Sequence, residues 1–291
     1  MKSPDKTLSE QYSDHVNGRT ATPGVNWSAL DQKRRRHIST LARRNISTVS
    51  ELIEQLPDLP DKLKDFALWW FSITRERRAE KAVLAMMKGG NHDRITCAAT
   101  LSAIHGSRSR REFIRIGRHE LAQAIPDRHW LDAVVQGLKL GSDDSNDVDE
   151  ILVTIYERAD LPGWLRGDAA DALGGRNRVG DRRTSVFRRA WTTALQGLFD
   201  VDIEVQFWSM YIVMSVAHTF DPRRSNALFS KALPQLRKIA KTDHRLAPGY
   251  WWPMSAEAED AIYAIENGSP PERDASDKWL GNTERGPMIR D

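Results

Sequence analysis

Residue types that support catalysis or metal binding occur in this sequence, but not at the spacings that such chemistry requires. His119-Glu120 lacks the second histidine of a zinc-binding helix, and the eight histidines show no paired ligand spacing. Ser225 follows two arginines and lacks the flanking glycines of a hydrolase nucleophile elbow. The acidic run 143–150 has no central glycine, so it does not match a calcium-binding loop. We therefore expect a protein that is not an enzyme and that holds no metal or other cofactor.

Positive charge is concentrated in two groups of arginine residues, although the formal net charge of the chain is only +3. Such groups could contact nucleic acid, an anionic lipid surface or an acidic protein. Neither group interleaves aromatic residues in the pattern typical of base stacking. We prefer to interpret the first group as a solvated capping helix that packs Leu30, Ile38 and Leu41 on its neighbour. The basic-surface candidates are Arg34, Arg35, Arg36, Arg43, Arg44, Arg182, Arg183, Arg188 and Arg189.

The elements that must carry these residues recur at the interval of a helical repeat. Successive amphipathic stretches end on apolar anchor residues that are 30 to 49 residues apart. Periods of roughly 20 to 50 residues indicate stacked helical units, and no run of residues predicts a strand. Small residues such as Ala98, Ala170 and Ser209 precede the anchors on the same helix face, where they let helices approach closely. The anchors are Phe71, Leu101, Leu138, Leu173, Val213 and Ile262.

Residues 149–174 and 200–216 resemble the HEAT repeat family, in particular the short bacterial HEAT-like repeats. The resemblance implies an all-α, right-handed α-α superhelix, or solenoid, of about five or six helical pairs. Asp160 lies six residues before Arg166, a spacing that in the family belongs to an Asp–Arg ladder between successive repeats. The next repeat has Gln206 where the pattern has arginine, so the implied ladder is incomplete.

Some of the ten tryptophans are placed where a partner could reach them. At about 100° per residue, Trp164 and Trp208 point away from the buried side of their helices. Trp251 and Trp252 lie in the long loop before the last helix. Exposed tryptophans are common anchors of protein interfaces, so these four are partner-binding candidates. Packing on an adjacent repeat explains Trp164 and Trp208 equally well, and the loop that carries Trp251 and Trp252 could instead be a lid over the terminal repeat. The tryptophans expected in the core are Trp69, Trp70 and Trp191.

The ends of the chain differ from its centre. We expect residues 1–26 and 267–291 to be disordered or loosely attached tails, and residues 27–266 to form the solenoid. The single cysteine, Cys97, excludes an intramolecular disulfide, and its apolar neighbours predict a buried thiol. No signal peptide and no membrane-spanning stretch is predicted, which indicates a cytoplasmic protein; we also expect a monomer.

A curved stack of helix pairs presents an extended concave surface, and such surfaces bind other chains. The predicted function is therefore a non-enzymatic scaffold or adaptor that binds a protein partner. The alternative is a HEAT-like nucleic-acid-binding protein or alkylpurine DNA glycosylase, which would bring tryptophan, a carboxylate and arginine together on one basic patch. A third hypothesis, a bilin lyase of the HEAT-like class, has only the repeat to support it.

Overall fold

The computed structural model describes residues 6–17, 27–90, 92–139, 146–174, 184–219, 227–250, 252–269 and 271. Within these ranges the regular structure is helical, and the β contacts are the isolated bridges Thr7–Thr48 and Leu246–Pro253. The prediction of an all-α protein is confirmed for this part of the chain. The chain divides into two compact units, Met1–Glu112 and Phe113–Asp291. None of the described helices is long and apolar enough to cross a bilayer.

The first unit is built from short helices whose ends are fixed by local hydrogen bonds. In α3 the Thr48 side chain and the Glu51 side chain form a reciprocal capping box. The residue Arg75 adopts a left-handed conformation at the end of α4, and its N–H bonds to carbonyls of the last turn. Its helices are α1 (Leu8–Asn17), α2 (Trp27–Ala42), α3 (Val49–Gln55), α4 (Asp61–Thr74), α5 (Glu80–Gly89), α6 (Arg94–Ile104) and the start of α7 (Ser107–Leu121).

The prediction of a disordered tail over residues 1–26 is wrong for residues 8–17, which form α1. Leu8 and Tyr12, four residues apart, are buried. The Tyr12 hydroxyl donates a hydrogen bond to Asp31 Oδ1 over 2.6 Å, so α1 is tied to α2 by apolar packing and by a polar contact. Residues 1–5 and 18–26 of this tail, and nearly all of the predicted tail 267–291, lie outside the described residues.

In the second unit the helices pack in two rows. One row runs through successive contacts of α8 with α10, α10 with α12, and α12 with α14. The helices α9 and α11 pack on each other and against α10 and α12 respectively. The helices are the remainder of α7, α8 (Arg128–Lys139), α9 (Asn146–Glu157), α10 (Gly163–Gly174), α11 (Ser185–Gly197), α12 (Ile203–Thr219), α13 (Leu233–Thr242) and α14 (Met254–Asn267).

Helices α10 and α12 approach closely because α10 turns small residues toward α12. A Cβ atom at Gly167 would lie 2.7 Å from Trp208 Cδ1, and one at Gly174 would lie 2.7 Å from Tyr211 Cε1. Ala170, between these glycines, is completely buried. The aromatic rings of α12 thus occupy space that any larger residue on this face of α10 would remove.

The predicted anchors Phe71, Leu101, Leu138, Leu173 and Val213 are all buried in the core. The sixth, Ile262, is only half-buried, because α14 turns Ala261 and Ile265 inward instead. The prediction of a buried thiol is confirmed: Cys97 is fully buried, and burial raises the pKa of its thiol to about 12.

Candidate functional site

A pocket of about 660 Å³ opens between α2 and α4 in the first unit, and we call it the α2–α4 pocket. Apart from Arg36, the lining residues on each helix recur at i, i+3, i+4 and i+7, the spacing that places side chains on one face of a helix. One helix face therefore forms each wall. The lining residues are Leu30, Lys33, Arg34, Arg36 and His37 from α2, and Lys62, Asp65, Phe66 and Trp69 from α4.

The pocket lies at the margin of the core of the first unit. On α2, Ile38 and Leu41 are buried, whereas the predicted packing residue Leu30 is exposed and lines the pocket. On α4, Ala67 and Trp70 are buried. The buried side chains hold both helices in place, and the polar side chains of the same helices are left to face the opening.

The electrostatic character of the pocket is strongly positive. Within the described residues, no carboxylate lies within 4.0 Å of the charged nitrogens of the four cationic side chains, Lys33, Arg34, Arg36 and Lys62. The one carboxylate that lines the pocket, Asp65, is occupied elsewhere, since its Oδ1 lies 2.9 Å from His92 Nε2. Cationic groups that lack a protein counter-ion favour an anionic ligand.

One of these cations lies over an aromatic ring. The Arg34 Cζ atom lies 3.8 Å from the centroid of the Trp69 ring, which is a close cation–π contact. The Trp69 ring is itself supported by Tyr12, Phe66 and Trp70, whose ring centroids lie 6.4, 5.7 and 5.9 Å away. The Arg34 guanidinium is therefore held against Trp69 at the pocket wall.

The prediction that Trp69 belongs to the core is wrong, because it lines the pocket and is half-buried. Adjacent residues of a helix point about 100° apart, so Trp70 points into the core when Trp69 faces the pocket, and Trp70 is fully buried. Both tryptophans lie in the same dense apolar run of the sequence, so that run could not predict which of the two rings is buried. The other two predictions of this kind, Trp70 and Trp191, are buried.

A histidine completes the wall formed by α2. Burial lowers the pKa of His37, the nearby charges of Lys33 and Lys62 lower it further, and Asp65 opposes them. Its ring centroid lies 5.6 Å from that of Phe66. His37 is therefore neutral at neutral pH and can either donate or accept a hydrogen bond.

The remaining members of the first arginine group extend the basic surface. The Arg35 guanidinium lies 5.4 Å from the Tyr12 ring centroid, while Arg43 and Arg44 are exposed just beyond the end of α2. In the second group Arg188 is exposed, whereas Arg189 is half-buried and paired with carboxylates. Arg182 and Arg183 lie outside the described residues.

Arg189 binds side chains of the neighbouring helix α9. Its Nε donates to both carboxylate oxygens of Glu157 at 3.0 Å, and its Nη2 donates to Thr154 Oγ1 at 2.9 Å. Its Nη1 forms an ion pair with Glu150. The carboxylates raise the pKa of Arg189, so this side chain is a charged link between α11 and α9.

The four partner-binding candidates are not equivalent. Trp164 is 40% exposed on α10, whereas Trp208 is half-buried against Gly167 and lies 4.9 Å from the Phe207 ring centroid. The Trp252 indole N–H donates to Glu257 Oε2 over 3.1 Å, so this ring is tied to α14. Trp251 lies outside the described residues.

On α10, Trp164 shares a face with Asp168 and Asp171, because these residues are four and seven positions further along. We call these three residues the α10 face. Gln136 Nε2 of α8 lies 3.5 Å from Asp168 Oδ2, and Lys139 of α8 forms an ion pair with Asp171. Neighbouring helix side chains thus border the exposed tryptophan with polar groups.

The ladder residues make contacts at the helix junctions of the second unit. Arg166 Nη1 lies 3.3 Å from Asp200 Oδ2, which precedes the next anchored helix, and its Nε donates to the Tyr156 carbonyl. Asp160 instead pairs with Arg158 over 2.6 Å. At the position where the pattern has arginine, the side-chain oxygen Oε1 of Gln206 accepts a hydrogen bond from Arg245 Nη2 over 2.7 Å. The Arg166–Asp200 and Gln206–Arg245 contacts link successive helix junctions, whereas the Asp160–Arg158 pair lies within one junction.

Among the described residues, no group of three or more His, Cys, Asp or Glu side chains is arranged to hold a metal ion. No family model, no curated protein and no solved structure matches this chain. The assignment of function therefore depends on the two surfaces described above, the α2–α4 pocket and the α10 face. Of the pocket residues, the sequence predicted only Arg34 and Arg36 as candidates.

Proposed function

We propose that this protein is a non-enzymatic scaffold that binds a protein partner, built as a HEAT-like right-handed α-α superhelix of about five or six helical pairs. The two rows of helices in the second unit support this architecture. The Arg166–Asp200 contact between successive helix junctions supports it as well. In this proposal the protein acts as a cytoplasmic monomer.

The observation that carries the binding function is the exposed ring of Trp164 on the α10 face. The helix beneath it is fixed by fully buried residues such as Ala169 and Ala170, so the ring is presented by a rigid element. The side chains of Asp168 and Asp171, together with Lys139, form a polar border. An aromatic anchor inside a polar border is the usual composition of the energetic centre of a protein interface.

The test is affinity capture with the full-length chain, followed by mass spectrometry and by measurement of affinity for the partner found. We expect Trp164→Ala to weaken that affinity at least about tenfold, the typical effect of losing a central aromatic anchor. Tyr263→Ala is the matched control, because Tyr263 is a similarly exposed aromatic residue on α14 of the same unit. Equal affinity of the Trp164→Ala variant and the unchanged protein would contradict the proposal.

One observation favours the alternative of an alkylpurine DNA glycosylase. Trp69, Asp65 and Arg34 converge in the basic α2–α4 pocket, the combination that this alternative requires. The contact of Asp65 with His92 counts against it, because the carboxylate already has a partner. The assay is release of free base from duplex DNA that contains an alkylated purine. We expect no release; release that Asp65→Asn abolishes would replace the scaffold proposal.

A further inference from the structure

We propose that the α2–α4 pocket binds single-stranded nucleic acid, with backbone phosphates at Lys33, Arg36 and Lys62 and a base at the side formed by Arg34 and Trp69. This inference concerns the first unit and does not depend on the α10 face. It adds a ligand class to the scaffold proposal, and the two can fail separately.

The charge of the pocket selects an anion. Lys33 and Arg36 on α2 and Lys62 on α4 approach the same opening from two helices, and the one carboxylate among the described lining residues, Asp65, lies against His92 rather than within ion-pair distance of them. Lysine and arginine side chains in such a position bind phosphate oxygens and release the counter-ions condensed on the nucleic acid. An acidic peptide would satisfy these charges, but it would leave the aromatic side of the pocket without a function.

The aromatic side of the pocket selects a ligand that also carries a planar ring. The Arg34 guanidinium stacks on Trp69 at 3.8 Å, and Phe66 lies beside Trp69 with 5.7 Å between ring centroids. Unstacked bases of single-stranded nucleic acids stack on aromatic rings or on arginine planes. One side of the guanidinium is covered by Trp69, and its other side is the surface on which a base stacks.

The dimensions of the basic surface favour a chain over a single nucleotide. Arg43 and Arg44 are exposed at the end of α2, about 15 Å along the helix axis from Lys33. A longer polyanion reaches both the pocket and these arginines. A volume of about 660 Å³ admits a small planar group. A duplex keeps its bases stacked inside and cannot place one in such a pocket without flipping it out.

The test uses the full-length chain and a fluorescein-labelled oligothymidylate of about 20 nucleotides, with fluorescence anisotropy as the readout. We expect binding whose log–log salt slope lies between about −2, for roughly three phosphate contacts on a single strand, and about −3.5, for roughly five when Arg43 and Arg44 also contact it. Changing Lys33, Arg36 and Lys62 to glutamate should weaken binding at least about tenfold. Arg34→Lys should weaken it severalfold, because the charge remains but the stacked plane is lost.

The matched control changes Arg188, Lys238 and Lys241 to glutamate, since these are exposed cations of the second unit and the net charge changes equally. This control should bind within about threefold of the unchanged protein, because distant surface charges are screened. Circular dichroism confirms that each variant is folded.

Three results would overturn the inference. The first is absence of oligothymidylate binding by the unchanged protein. The second is an equal loss of affinity in the control variant, which would show attraction to overall charge. The third is equal affinity for duplex DNA, polyglutamate or polyphosphate, which would show that no base is recognised. None of these results affects capture of a protein partner through Trp164.

Discussion

The two arginine groups of this chain look alike in sequence and differ in what faces them. In the first unit, α2 directs Arg36 into the α2–α4 pocket, where the facing helix α4 contributes Lys62 and an Asp65 that is bound to His92. In the second unit, α11 directs Arg189 to a neighbouring helix that supplies two glutamates and a threonine. The first arginine is left for an external anion, and the second is a structural link.

The difference follows from the spacing of the facing residues. Glu150, Thr154 and Glu157 stand at i, i+4 and i+7 on α9, so all three oxygen-bearing side chains share one helix face. The equivalent spacing on α4 holds Lys62, Phe66 and Trp69, which offer positive charge and rings. A run of arginines in a sequence therefore does not reveal whether the surface is basic, because the facing helix decides it.

The largest expected effect comes from placing a charge in the buried interface between α10 and α12 of the second unit. Ala170→Asp should destabilise that unit by several kcal/mol, because Ala170 is fully buried between α10 and α12 and an unpaired carboxylate there loses its hydration. Neighbouring helices stabilise one another, so the loss should spread beyond α10. Urea unfolding followed by circular dichroism measures it. Arg36→Asp, in the open pocket, is the control, and we expect its stability to change by less than about 0.5 kcal/mol.

An unchanged melting temperature of Ala170→Asp would show that residue 170 does not face the core. It would also remove the contrast between a closed interface in the second unit and an open pocket in the first.

A smaller effect separates the two arginines directly. Arg189→Ala should lower the free energy of unfolding by about 1 to 2 kcal/mol, since it leaves Glu150 and Glu157 without their shared partner in a half-buried position. Arg36→Ala should change it by less than about 0.5 kcal/mol. Denaturant unfolding of both variants gives the comparison. Equal losses would mean that the two environments are energetically alike.

The smallest effect is the pH dependence of stability that His37 of the pocket contributes. The folded state lowers the pKa of His37 and therefore disfavours its protonated form. The contribution of His37 to stability is thus fully present above the ordinary histidine pKa of about 6.5, and it is lost as the pH falls from there through the lowered pKa of the folded state. The charged groups facing it are Lys33, Lys62 and Asp65. Arg189 keeps its charge throughout, because its partners raise its pKa.

The measurement is urea unfolding of the unchanged protein and of His37→Gln at pH values of about 7.5 and 5.5. The unchanged protein should lose more stability on acidification than the glutamine variant does. A larger loss in His37→Gln would reverse the sign and contradict the assigned cause.

The helices could be predicted from the sequence because the spacing of apolar residues is a local signal. Phe71, Leu173 and Val213 mark helices that the structure places where the pattern requires. The candidate site could be predicted only in part. Arg34 and Arg36 are conspicuous as a charge run, but Trp69 becomes a site residue only when α4 packs beside α2, about 30 residues away in sequence.

The same limitation explains the wrong predictions. Helical periodicity indicates which direction a residue points on its own helix, and it contains no information about the side chains that arrive from another helix. The ion pairs of Arg189 could not be predicted for this reason, because its partners Glu150 and Glu157 lie on a different helix. The helix α1 was missed because Leu8 and Tyr12 are too few to produce a recognisable period.

The contact of Arg34 with Trp69 also affects the free energy with which the pocket binds a ligand and its selectivity among ligands. A free arginine side chain samples many rotamers, and fixing it costs up to about 2 kcal/mol of entropy. Here the ring restricts those rotamers when the chain folds, so most of that cost does not recur when a ligand arrives. A guanidinium with a fixed plane also rejects ligands whose rings approach at the wrong angle. The contact thus converts a flexible cation into an oriented one.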